Sequence, residues 1–106
     1  MIAFESVVAQ LSGLDPARLE AWIAEGWVRP AHREGRPVFE EIDLARCRLI
    51  LELQEEMEVG DSAMPVVLGL LDRLHRTRRQ LRILAEALER GRHGANPAID
   101  PGNTHA

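Results

Sequence analysis

Four histidines, one cysteine and three serines are the side chains here best suited to metal or nucleophilic chemistry. Their spacing assembles neither. None of His32, His75, His93 and His105 stands at metal-ligand spacing from a cysteine or carboxylate, and two of them lie in the last stretch of the chain. Ser6, Ser12 and Ser62 read as helix-end or turn residues, and there is no glycine-rich phosphate loop and no G-x-S-x-G elbow. No enzyme, metal or cofactor is expected. What remains is recognition by charge. The stretch "GLDPARLEAWIAEGWVRP", residues 13–30, carries Glu20 and Glu25 with Arg18 as the only cation of its helix, and Glu40 and Glu41 follow downstream. Acids on that helix have the wrong sign for a DNA reader. Trp22 shares an apolar stripe with Leu19 and Ile23.

The charge distribution sharpens this. Residues 1–61 hold thirteen acids against six arginines, a net of −7, and residues 62–106 hold four against seven, a net of +3. DNA binding draws most of its affinity from neutralised phosphates, so an acidic N-terminal half argues against it. The chain has 106 residues, 45% of them hydrophobic and 28% charged, as expected of a small globular protein. No apolar run approaches the roughly 18 residues of a membrane span. No leader is read at the N-terminus, and the expected location is the cytoplasm, without membrane contact. Cys47 has no partner for an internal disulfide and reads as a small buried hydrophobe.

The elements that must position these acids are mainly helical. Phe4, Val7, Val8 and Leu11 predict a first helix over about 5–10. Asp15 as N-cap, Pro16 at the first helical position and Gly26 past the end predict a second over 16–25. Two short helices joined by about four residues form a helix-turn-helix unit. "WVRP" and "RPVFE", separated by "AHREG", predict a small hairpin, or wing, with both strands at edges because of Pro30 and Pro37. A third helix is expected from Glu40 or Glu41 to Val59. Its C-terminal acids, Glu52, Glu55, Glu56 and Glu58, form either a solvated face or a docking surface for a basic partner.

A fourth helix is expected from an N-cap at Ser62 to about Arg90, roughly 43 Å long. Val67, Leu70, Leu74, Thr77, Leu81, Leu84 and Leu88 alternate by three and four along it, a heptad seam. So narrow a seam is too long to be buried by a core of some sixty residues, which predicts pairing with the same helix of a second copy. Packing within one chain is the alternative. The organisation expected is therefore 1–60 helix-turn-helix and wing, 61–90 dimerisation helix, and 91–106 a flexible tail.

This order of elements resembles that of MerR-like regulators. Against their pattern L-[R]-Y-Y-E-x-x-G-L-[I/V]-x-P, the chain has Leu19, Glu20, Ala21, Trp22 and Ile23, then Gly26, Trp27, Val28, Arg29 and Pro30. The scaffold positions agree. The position that would approach DNA departs, since Glu20 replaces an arginine, and in the wing Pro37 replaces a second basic residue. Residues 2–89 also resemble the chaperone modulator CbpM family, through "EGWVRP", "PVFEEIDLAR" and "VVLGLLDRLHRTRRQLRILAEAL". In the last segment Leu70, Leu71, Asp72, Leu74, Leu81 and Leu84 fit the family pattern. That resemblance implies a MerR-like fold that binds the J-domain of a DnaJ-like co-chaperone (CbpA) and blocks its stimulation of Hsp70. It also implies a role for the acids: Glu20, Glu25, Glu40 and Glu41 steer the basic helix of the J-domain, with any exposed part of Trp22 as an apolar anchor, the competing reading being that Trp22 lies in the core. A MerR-type DNA-binding transcriptional regulator is the alternative.

Overall fold

A computed structural model of the chain describes residues 1–94, and the tail expected beyond residue 94 lies outside them. The chain divides into two compact units, Met1–Leu68 and Gly69–Ala106. The boundary between them lies within the long helix, whose first residues include the buried Met64 and Leu68.

The first unit opens with β1 (Ile2–Ala3), which runs directly into α1 (Phe4–Gln10). The short strand carried no legible signal, since two residues cannot express an alternation. Leu14 N–H closes a turn onto the Leu11 carbonyl at 3.2 Å. Helix α2 (Pro16–Ala24) begins where Asp15 Oδ1 accepts the Arg18 backbone N–H at 2.8 Å, with Pro16 where no N–H is needed. It stops at Gly26, whose φ of 79° is the left-handed conformation that glycine adopts freely. There Gly26 N–H reaches the Ile23 carbonyl and Trp27 N–H the Trp22 carbonyl, each at 3.0 Å, a Schellman closure.

The wing differs from expectation in one strand. It consists of β2 (Ala31–Arg33) and β3 (Arg36–Phe39), so "WVRP" is not a strand. Trp27, Val28 and Pro30 are buried and link α2 to the hairpin through the core. The two loop residues, Glu34 and Gly35, have φ of 54° and 79°, the paired positive values of a type I′ hairpin. Nor are both strands at edges, because the sheet order is β1-β3-β2 and β3 is central. Pro37 is tolerated there for a reason of register. It faces His32 across β2, one residue from the Arg33–Arg36 pair that closes the hairpin, so its nitrogen is directed to the other side. On that side β1 pairs only with Val38 and Phe39 and does not reach it.

Helix α3 (Glu41–Glu55) starts with Glu40 N–H bonded to Asp43 Oδ2 at 2.9 Å and with Glu41 in the favourable first turn. It ends four residues before the expected Val59. Glu58 turns left-handed, at φ 55°, and Val59 N–H closes onto the Leu53 carbonyl at 2.8 Å. Helix α4 (Met64–Gly94) starts at Met64, so Ser62 lies in the preceding turn and is not the N-cap, while Pro65 does fall in the first turn. Residues 91–94, expected as tail, continue the helix, which is about 46 Å long.

The core of the first unit is apolar throughout the described residues. Leu19, Phe39, Ile50 and Met64 are fully enclosed, and each such side chain contributes roughly 1.5–3 kcal/mol. One tilted ring contact, Phe4 to Phe39 at 6.4 Å, joins α1 to β3.

Candidate functional site

The charge on α2 depends on where Arg18 points. Its guanidinium is turned to its own chain: Nη1 donates to the Gly13 carbonyl at 2.9 Å, and Nη2 donates to Gln54 Oε1 at 2.6 Å. Nη2 also pairs with Glu55 Oε2 at 2.9 Å, and the group lies 5.7 Å from the centroid of the Trp22 ring. The one cation of α2 is thus consumed in tying α2 to the end of α3. Glu20 and Glu25, both exposed, are the charges this helix leaves to solvent.

The structure separates those acids. Glu20 borders a groove of about 660 Å³ lined by the half-buried Phe4, Ile23, Pro37 and Val38 and by the exposed Glu5, Arg33, Glu34 and Arg36. Glu25 borders another hollow, of about 420 Å³, with Arg18, Trp27, Gln54 and Asp61. Glu40 and Glu41 are exposed at the start of α3 and border neither of these two. Trp22 is corrected: only 2% of it is exposed, so it belongs to the core and offers no anchor to a partner. Its stripe with Leu19 explains this, since both point into the first unit. The apolar lining of the groove was not foreseen. Phe4 and Ile23 read as core positions on their helices, and only the hairpin, brought alongside by the β1–β3 pairing, leaves them half-open.

Cys47 is fully buried on α3 and its thiol is pushed up from 9.0 to about 11, first by loss of hydration, then by the nearby Asp43 carboxylate, with Arg46 opposing. It stays a neutral thiol at physiological pH, a packing group and not a nucleophile. Among the described residues no group of three or more His, Cys, Asp or Glu is placed to hold a metal ion. No described helix is long and apolar enough to cross a membrane.

Along α4 the seam changes character. Val67 is half-buried in the first unit, whereas Leu70, Leu74, Leu81, Leu84 and Leu88 are all exposed, Leu88 by 64%. Within one chain these leucines remain uncovered.

Two short helices with a Schellman-closed second helix, a type I′ hairpin beside it and a long following helix define a helix-turn-helix protein with a wing. Comparison with family models agrees: residues 4–86 match the MerR HTH family of regulatory proteins, and the chain belongs to that family. No curated protein and no solved structure matches it.

Proposed function

We propose that this MerR-family chain is a protein-binding chaperone modulator, which captures the J-domain of a DnaJ-like co-chaperone and so blocks stimulation of Hsp70. The observation that carries this reading is the engagement of Arg18 by Gln54 and Glu55, which leaves Glu20 on α2 and Glu25 at its C-cap as the uncompensated charges there. A phosphate backbone meets repulsion there, and a basic helix meets attraction. The protein acts by binding, not by catalysis, in the cytoplasm. The exposed leucines of α4 pair with those of a second copy, giving a homodimer.

One observation favours a second reading, that of a DNA-binding MerR-type regulator: Arg33 and Arg36 are exposed on the hairpin. A single experiment separates the two. The full chain is titrated by fluorescence anisotropy against a labelled J-domain and against labelled duplex DNA over a range of salt, with Hsp70 ATPase stimulation as the functional readout. The modulator reading expects tight J-domain binding and loss of ATPase stimulation. Tight DNA binding that falls steeply with salt, without J-domain binding, rejects it.

A further inference from the structure

The groove beside Glu20 has a more particular chemistry than an acidic face. Its apolar lining, Phe4, Ile23, Pro37 and Val38, is half-buried, so the chain itself covers each residue only in part. The two helices contribute carboxylates to the rim, Glu5 from α1 and Glu20 from α2, and the hairpin contributes Arg33 and Arg36 with Glu34 at the turn. Among the described residues no ion pair engages Glu5, Glu20, Arg33 or Arg36. An apolar trough thus runs between a helical wall that is negative and a hairpin wall that carries the arginines.

We infer that this groove seats one face of a cationic amphipathic helix from a partner protein, lying with its basic edge against α1 and α2. Apolar side chains at i, i+3 or i+4, and i+7 pack on this lining, the pattern of helix-in-groove recognition. Lysines or arginines on one edge meet Glu5 and Glu20, and an acid on the opposite edge meets Arg33 or Arg36. The unlike walls therefore set the direction in which the helix lies as well as its affinity. Duplex DNA lacks the apolar face and is repelled by the helical wall. The chain's own α4 carries leucines and arginines of similar chemistry, but the dimer seam takes its leucine face. The inference rests on the protein-binding reading above and adds to it the seat and the orientation of the partner.

The test follows backbone NMR shifts of the isotope-labelled full chain on adding a J-domain. A second titration adds a short synthetic peptide with leucines at helical spacing, lysines along one edge and glutamates along the other. Shifts are expected to centre on Glu20, Ile23, Arg36 and Val38 with both ligands. Glu20→Lys and Arg36→Glu, both at exposed positions, are each expected to weaken binding about tenfold. Gln10→Lys, at an exposed position outside the groove, leaves affinity unchanged. Peptide binding in the groove without J-domain binding keeps this inference and rejects the J-domain as partner. J-domain binding that shifts other residues and ignores Glu20→Lys overturns the groove and leaves the modulator reading intact. Groove shifts on simple dilution, which indicate a second copy, or on adding duplex DNA also overturn it, as does a groove that neither ligand perturbs.

Discussion

Arg18 illustrates how one side chain decides the sign of a surface. On α2 it could have faced a phosphate; instead it bridges Gly13, Gln54 and Glu55 over the Trp22 ring. Its side chain is 26% exposed and that of Glu55 58%, so solvent screens the ion pair, and the hydrogen bonds carry most of the tie. Arg18→Ala is expected to cost about 1–2 kcal/mol in chemical denaturation, without changing the fold. Cys47 gives the second test at this scale. Its raised value means that the folded chain holds a proton between pH 9 and 11 that the unfolded chain has released. Stability is therefore level below that window and falls as pH rises through it. Denaturation midpoints measured from pH 8 to 11 should decline, and Cys47→Ala should flatten the slope. Native protein should also resist iodoacetamide at pH 8 and react once unfolded.

Among the elements, the end of α3 and the long α4 hold the testable features. Glu58 occupies a left-handed position, φ 55°, at the negative end of a helix already crowded by Glu52, Glu55 and Glu56. A side chain there costs backbone energy that glycine avoids. Glu58→Gly is expected to stabilise the chain by about 0.5–1 kcal/mol, seen as a higher thermal midpoint. For α4 the five exposed leucines are the claim on a second copy. Leu81→Asp, at 60% exposure, has little to lose in a monomer, yet it puts a charge into a paired seam. Sedimentation should register a shift from dimer to monomer with helicity of the first unit retained. A variant that stays dimeric would assign the contact elsewhere.

For the molecule as a whole, electrostatics separates a protein reader from a nucleic-acid reader. The first 61 residues carry a net −7, and on α2 the fold neither hides nor neutralises the acids but neutralises the cation. Steering by such a surface raises the association rate with a basic partner and is screened by salt over about 10 Å at 0.1 M. The double change Glu20→Arg and Glu25→Arg should slow J-domain association and remove most of its salt dependence, while sedimentation still reports a dimer. Stopped-flow association at two salt concentrations measures both effects. Unchanged rates would take the α2 face out of the interface.

Much of this architecture is local and was legible. Asp15, Pro16 and Gly26 delimit α2 because capping is satisfied by neighbours in sequence, and the leucine spacing of α4 needs no tertiary partner to be read. Gly35 marks the hairpin turn for the same reason, but the loop is only Glu34 and Gly35, because residues 31–33 of the expected loop pair as β2. Strand placement was less legible, because Trp27 and Val28 have the β propensity of a strand but are drawn into the core, and because β1 exists only through its pairing with β3. The acids of the candidate site were visible as residue types, and their grouping was not. Trp22 inside, Glu20 on a groove, Glu25 on another hollow and Glu40 and Glu41 away from both follow from how α1, α2 and the hairpin pack. Sequence determined which helices form and where α1 and α2 end, since those choices are made by contacts within a few residues. Tertiary structure alone decided that Arg18 bonds to the end of α3 and that Phe4, Ile23, Pro37 and Val38 line one groove, because those contacts join segments far apart in the chain.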